Sequence, residues 1–461
     1  MSRSRALLIT LVAGTGLIWG AVGPIAGAAT PKAGDRCTPA QVGTRSGSLT
    51  CVREGNRRRW VAAPTTTAAA AAPATTAAAS SSSGGSSGGS SGGAPIKLGV
   101  AIGISGASTA NLAQDQKLGV QLAEKWVNDN GGINGRKLQV VIQDTSSDEA
   151  GAIAAFNALI DSDKVVGIVG PTLSQQAFAA DPVAERKKVP VLAPSNTAAG
   201  IPQIGDYIAR VSAGVAVYAG NAVKYAAQTS PLSKAAVFFA DDDAFSRSET
   251  VVFQTAVRAS GLELLPPQTF KVNDTDFTTQ VNFVRSNRPD LVVISGLAQS
   301  GNLVKQLRDT GFGGAIVGGN GLNVVQTFSV CKAQCDGLIV AQAYSPDIPS
   351  GGINREFRKL FADQQKRDPG QIAAQAFTGV QVFVDALREL GKAGKLDLPL
   401  DQLRVELNRQ VLAGKYATPL GDISFTGEGE IVQKNFYVAQ ISMKRGATGD
   451  EFSGLFRYVS F

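Results

Sequence analysis

From residue 96 onward the sequence predicts an α/β architecture of two lobes, each a parallel sheet under helices. Three observations predict it. Short apolar runs recur without polar alternation, and strands of that kind are buried on both faces, as in parallel sheets. Helix-length stretches alternate with them. The alternation comes in two series, separated by a helical stretch near 214–229.

In the first series IKLGVAI (96–102) precedes a helix near 112–130, and LQVVIQD (138–144) precedes one over 148–162. VVGIV (165–169) precedes 174–187, and VPVLA (189–193) closes the series. In the second, KAAVFFA (234–240) leads into 246–260, DLVVIS (290–295) into 298–310, and GAIVGG (314–319) into 323–330. The 461 residues exceed what one core of typical size holds, so more than one domain is expected.

Upstream the composition changes twice. Residues 1–28 carry a basic start (MSRSR), an apolar stretch and Ala26-Gly27-Ala28, the pattern of a secretory signal peptide with its cleavage site. An exported, extracytoplasmic protein, soluble or envelope-associated, is the expectation. Residues 29–62 read as a small basic β module ending on Arg57-Arg58-Arg59-Trp60, which could touch an anionic envelope polymer. Residues 63–95 contain only Ala, Thr, Pro, Ser and Gly, a flexible linker spanning about 30 Å on average. Of the net charge of +7, +2 falls in 1–28 and +5 in 29–62, leaving the large domain neutral. A neutral domain with no basic face gives no reason to expect nucleic acid.

Four cysteines in an exported chain suggest disulfides, with three pairings possible. Cys37–Cys51 and Cys331–Cys335 are the natural ones, each within its own segment. There is no histidine, so the commonest general base, every Ser-His or Cys-His pair and all His metal sites are missing. No enzyme, cofactor or metal is expected. Asp241-Asp242-Asp243 invites a cation, but three successive residues cannot all point at one ion; a helix cap with spare charge is the better reading.

Ligands of open α/β sheets bind beyond the C-terminal ends of the strands. After the first series' strands come Gly103-Ile104-Ser105-Gly106, Gly170-Pro171-Thr172-Leu173-Ser174 and Pro194-Ser195-Asn196-Thr197. Hydroxyls and backbone N–H groups gather at one edge with no Lys or Arg beside them in sequence. Such a cluster suits a carboxylate better than a phosphate dianion. After the second series come the three aspartates with Phe245, then Gly296-Leu297, then Asn320-Gly321. Thr172, Ser174, Ser195, Asn196, Thr197, Phe245, Leu297 and Asn320 are the candidate ligand-binding residues.

Residues 96 to about 442 resemble the extracytoplasmic binding proteins for leucine, isoleucine and valine, with the type I periplasmic-binding fold. The resemblance is carried by Asn128-Asp129-Asn130-Gly131-Gly132-Ile133-Asn134-Gly135-Arg136-Lys137-Leu138 with Asp144. Further matches are Ser105-Gly106, Gly170 with Ser174, Pro194 with Thr197, and Arg288-Pro289-Asp290. It implies two lobes joined by three crossings, lobe 1 about 96–213 and 343–425, lobe 2 about 214–342 and 426–461. It also implies a solute-binding component of an ABC importer that meets permease subunits. The solute's carboxylate would be gripped by the hydroxyl of Ser174, the backbone at Ser195, and the hydroxyl and N–H of Thr197. Phe245 would close over the ligand. The family's acid for an α-ammonium falls at Asn320, which brings no charge, and Ser246 stands where a Gly is usual. Either one of Asp241, Asp242 and Asp243 supplies the charge, or the solute has no ammonium; the second is the expectation. A ligand-sensing or envelope-attached receptor is the alternative function.

Overall fold

A computed structural model describes residues 93–106, 109–347, 352–443 and 454–459, and the backbone of 45–46, 49–54 and 57–62. The proposed Cys37–Cys51 bond, the signal peptide and the linker fall outside the described residues. The chain divides into a unit over 1–87 and a larger one over 88–461. In the first, β1 (Arg45–Ser46), β2 (Leu49–Glu54) and β3 (Arg57–Ala62) form an antiparallel sheet in that order.

The larger unit opens with β4 (Ile96–Ile102), α1 (Ala110–Asp129), β5 (Leu138–Asp144) and α2 (Glu149–Asn157). These are followed by β6 (Ile168–Val169), α3 (Ser174–Arg186), β7 (Val191–Ala193) and β8 (Ile208–Arg210). The strands pair in parallel, in the order β5-β4-β6-β7-β8. A core containing Phe156, Ala177 and Ala180 from α2 and α3 is distinct from one containing Val120 and Val127 from α1. Burial under helices on both sides is why these strands read as unbroken apolar runs.

The chain then enters lobe 2 through α4 (Val215–Tyr218) and α5 (Gly220–Thr229), two helices where the sequence suggests one. Next come β9 (Lys234–Ala240), α6 (Ala244–Ala259), β10 (Glu263–Leu264), β11 (Gln268–Phe270) and α7 (Thr278–Asn287). β12 (Leu291–Ser295), α8 (Gly301–Asp309), β13 (Ala315–Gly318), α9 (Gln326–Cys331) and β14 (Ile339–Gln342) complete the series. Cys331 and Cys335 form a disulfide, Cα atoms 5.2 Å apart, across the turn that ends α9.

α10 (Ile353–Gln365), α11 (Gln371–Lys392) and α12 (Leu400–Ala413) return to lobe 1. There α11 packs along α1, and its Phe377, Val380 and Phe383 join the core of β4. A small antiparallel sheet of β15 (Lys415–Thr418), β16 (Gly421–Phe425) and β17 (Ile431–Val432) adds Tyr416, Ile423 and Phe425 to that core. Finally β18 (Tyr437–Met443) and β19 (Gly454–Val459) extend the lobe 2 sheet. Its order is β10-β9-β12-β13-β14-β18-β19, with β11 also on β9. β18 and β19 are antiparallel, so this sheet is parallel only up to β14.

The backbone passes between lobes after β8, after β14 and after β17, near 211–214, 343–347 and 433–436, and bonds join these stretches and their lobe 1 roots. The Arg210 N–H donates to the Gly429 carbonyl at 3.0 Å. The Arg210 guanidinium forks onto Glu430, Nε to Oε2 at 2.8 Å and Nη2 to Oε1 at 2.7 Å. Gln433 Nε2 donates to the Ala343 carbonyl at 2.5 Å.

Candidate functional site

The carboxyl edges of the two sheets face each other and meet. The Ala199 N–H in lobe 1 donates to Ser248 Oγ in lobe 2 at 2.9 Å. Leu112 and Ile372 of lobe 1 form one apolar cluster with Ala298 and Val324 of lobe 2. Leu173 of lobe 1 likewise shares a cluster with Phe245 and Leu297 of lobe 2. The eight candidate residues lie on the loops and helix starts that follow strands of the two sheets, but they play different parts.

Thr172 and Ser195 use their hydroxyls inside lobe 1. Thr172 Oγ1 accepts from the Gly103 N–H at 3.1 Å and donates to Gln116 Oε1 at 2.8 Å. Ser195 Oγ donates to the Thr172 carbonyl at 2.7 Å and accepts from Gln116 Nε2 at 2.8 Å. Gln116, on α1, thus pins two loops together with one amide. Asn196 donates to the Pro171 carbonyl at 2.9 Å through Nδ2. What Thr172 and Ser195 can still offer a solute is backbone, not hydroxyl.

Ser174 and Thr197 differ. Ser174 opens α3, where helix N–H groups lack internal acceptors and the helix dipole favours an anion. Its Oγ accepts from the Ala198 N–H at 3.3 Å, which leaves its own proton free to donate. Thr197 is 1% exposed, and its hydroxyl has no partner among the described residues. A buried hydroxyl left unpaired is costly unless something else completes it.

Three-dimensional folding brings in a cation that the loop sequences do not contain. Arg210, 2% exposed, donates to the carbonyl oxygens of Ala198 at 2.7 Å and Asn196 at 3.5 Å. Its charge is matched by Glu430, so it braces the 194–198 loop from behind.

The three aspartates are turned to other work. Asp241 pairs with Lys271 at 2.6 Å, and Asp242 accepts from the Val272 N–H at 2.9 Å. Asp243 caps α6, accepting from the N–H and hydroxyl of Ser246. Ser246, in place of a glycine, is thereby built into the cap. Asp243 Oδ1 is buried without a partner among the described residues.

The acid closest in bonding to Asn320 is Glu249, one turn along α6, which the sequence reading passed over. It is fully buried. Its Oε1 accepts from the Asn320 N–H at 2.8 Å and its Oε2 from Ser295 Oγ at 2.6 Å. Burial pushes its carboxyl up to about 7, against the pull of those two bonds and with a push from Asp243. Gly319 is required here: a Cβ on it would lie 1.8 Å from Glu249 Oε2.

Across the seam, Gln371 begins α11. Its Nε2 donates to Asn320 Oδ1 at 3.0 Å, and its Oε1 accepts from Asn323 Nδ2 at 3.1 Å and the Ala343 N–H at 2.6 Å. Gln371 and Gln116 were not anticipated. A glutamine read without its neighbours in space carries no signal that it joins two loops.

Two α/β lobes, tied crossings and a seam at the carboxyl edges of both sheets define a bilobal binding protein rather than a single-core domain. Residues 95–448 match the periplasmic binding protein family, and the chain belongs to it. It is 23% identical over 360 residues to the leucine-, isoleucine-, valine-, threonine- and alanine-binding protein of Pseudomonas aeruginosa, covering 76% of this chain and 92% of that protein. It is 22% identical over 350 residues to a Leu/Ile/Val-binding protein of Rhizobium johnstonii, covering 74% and 90%. Among solved structures, a leucine-binding protein from Thermotoga maritima superposes with a TM-score of 0.70 at 21% identity, covering 78% of this chain and 97% of that one. A solute-binding protein of an ABC transporter from Rhodopseudomonas palustris, in complex with 3,4-dihydroxybenzoic acid, gives 0.68 at 23%, covering 79% and 96%. The two-lobed type I periplasmic-binding fold expected from the sequence is the fold observed.

Proposed function

We propose that this protein captures a small carboxylate solute in the seam between its lobes and delivers it to the permease of an ABC importer. The observation that carries the reading is Thr197. Its buried hydroxyl has no partner among the described residues, and it lies on the loop bonded to the start of α3, where Ser174 keeps a free proton. Two hydroxyl donors and a helix N-terminus suit a carboxylate without needing a full positive charge. Phe245 and Leu297 supply the apolar wall opposite, as members of the cluster that includes Leu173.

The similarity to an amino-acid-binding protein and to an ABC-transporter solute-binding protein holding 3,4-dihydroxybenzoic acid supports both the transporter role and acidic solutes. In this reading the signal-like segment exports the chain, and the basic stretch at 29–62 and linker at 63–95 hold it near the envelope. Permease subunits would read the closed form, since a ligand favours the state it binds better. A thermal-shift screen of the purified protein against amino acids, keto acids, hydroxy acids and aromatic acids tests the reading. Stabilisation by at least one carboxylate is expected, and its loss in the paired Ser174→Ala, Thr197→Ala variant. A screen in which only non-acidic compounds stabilise would overturn it.

A further inference from the structure

The orientation of a side-chain amide is set by what it touches. At the seam one contact is unambiguous. The backbone N–H of Ala343 can only donate, and it lies 2.6 Å from one terminal atom of Gln371. That atom is therefore the carbonyl oxygen, and Asn323 Nδ2 shares it at 3.1 Å. The other terminal atom of Gln371 is then the amide nitrogen, and it donates to Asn320 at 3.0 Å. The Asn320 atom that receives it must be Oδ1. Asn320 Nδ2 meets no acceptor among the described residues, and the side chain, 8% exposed, sits just past the carboxyl end of β13. The direction of polarity thus runs from the second crossing, through Gln371, to Asn320.

Among the described residues no carboxylate bonds to the Asn320 side chain. Glu249 is fully buried and has both oxygens occupied by Ser295 and the Asn320 N–H. Asp241 pairs with Lys271, Asp242 accepts from the Val272 N–H, and Asp243 spends Oδ2 on the cap of α6; its buried Oδ1 has no partner among the described residues, and no bond joins it to Asn320.

We propose that this amide relay makes the lobe 2 end of the seam a hydrogen-bond donor, selecting keto or hydroxy acids over α-amino acids. The inference rests on reading lobe 1 as the carboxylate clamp. An ammonium has three protons and no lone pair, so it would set N–H against N–H and bury its charge without a partner. A carbonyl or hydroxyl oxygen at the same place accepts from Asn320 Nδ2.

Calorimetric titration of the full chain with matched pairs tests this: leucine and its keto acid, valine and its keto acid, phenylalanine and phenylpyruvate. The keto acids are expected to bind roughly a hundredfold more tightly or better, the upper end of what leaving a buried polar group unpaired costs. Gln371→Glu gives a second reading. Its carboxylate can still accept from the Ala343 N–H but offers Asn320 an acceptor, turning the asparagine over so that Oδ1 faces the solute. The keto-over-amino preference should then fall by about tenfold or more, with keto acids still bound. Asn320→Asp should move the preference the same way. Amino acids binding as tightly as their keto acids would overturn the relay and leave the clamp intact. So would an unchanged preference in both variants, each shown to be folded by circular dichroism. Binding of no member of any pair would overturn the clamp and the relay together.

Discussion

Replacing Glu249 by glutamine tests whether a buried acid has been fitted beneath the seam at the expense of stability. In the folded protein the carboxyl is raised from an ordinary 4.5 to about 7, chiefly by burial. Below the unfolded value both states hold the proton, and folding is favoured fully. As pH rises between the two values the unfolded chain releases a proton that the folded one keeps, so stability falls. The slope is about 1.4 kcal/mol per pH unit, and the total loss about 3 kcal/mol, complete once pH passes the folded value. The amide can be accommodated. Its oxygen can accept from the Asn320 N–H and its nitrogen can donate to Ser295 Oγ, whose own proton has the Ser246 carbonyl at 3.3 Å. Urea unfolding of both chains from about pH 4.5 to about pH 8 provides the assay. Glu249→Gln should match the parent at the acidic end and exceed it by about 2–3 kcal/mol at the alkaline end. A difference that does not change with pH would show that the carboxyl does not change protonation over this range, and the argument from burial would fail.

Asp181 is fully buried, both its oxygens lack partners among the described residues, and burial raises its carboxyl well above the usual range. By the same sign argument Asp181→Asn should raise the melting temperature more at alkaline than at acidic pH in a thermal scan. Arg210→Met breaks a fork whose arginine is buried and whose glutamate is partly exposed, so a loss of about 2–4 kcal/mol in urea unfolding is expected. Gly319→Ala places a methyl group against the Glu249 carboxylate and should destabilise by about 1–3 kcal/mol; coupling the change with Glu249→Ala should recover part of the loss. Ser174→Ala with Thr197→Ala should weaken carboxylate binding by about 3 kcal/mol or more in calorimetry, while leaving the fold unchanged.

The two-lobed architecture was legible because strands buried on both faces, such as β4, β9 and β12, write unbroken apolar runs. Where burial is arranged differently the pattern fades. Residues 165–167 extend an apolar run, and the Val166 N–H and Gly167 carbonyl bond to Lys97 and Gly99 of β4, but only Ile168–Val169 is paired as strand on both sides, and the Val165 carbonyl is taken by Arg404. α11 is buried around most of its circumference, so it lacks the apolar stripe that marks a surface helix, and Gln371 at its start went unread with it. The seam was half legible. Hydroxyls after strands could be seen in the loops themselves, but which hydroxyls are already occupied depends on Gln116, which is remote in sequence. Glu249 looks like an ordinary polar position on a helix; only the approach of Gly319 shows it to be interior.

The ties between crossings bear on how the lobes can move. Separate linkers would let one lobe swing, twist and slide against the other. With Gln433 held to Ala343 the second and third linkers are fastened side by side, and Arg210, held to Gly429 and Glu430, joins the lobe 1 roots of the first and third. Sliding the second linker past the third would break the Gln433–Ala343 bond, whereas bending about an axis through it need not. The tie therefore favours hinge-like bending over sliding of one linker past the other. Ala343 belongs both to this hinge and to the Gln371 relay, so the angle of the hinge and the orientation of Asn320 are mechanically linked.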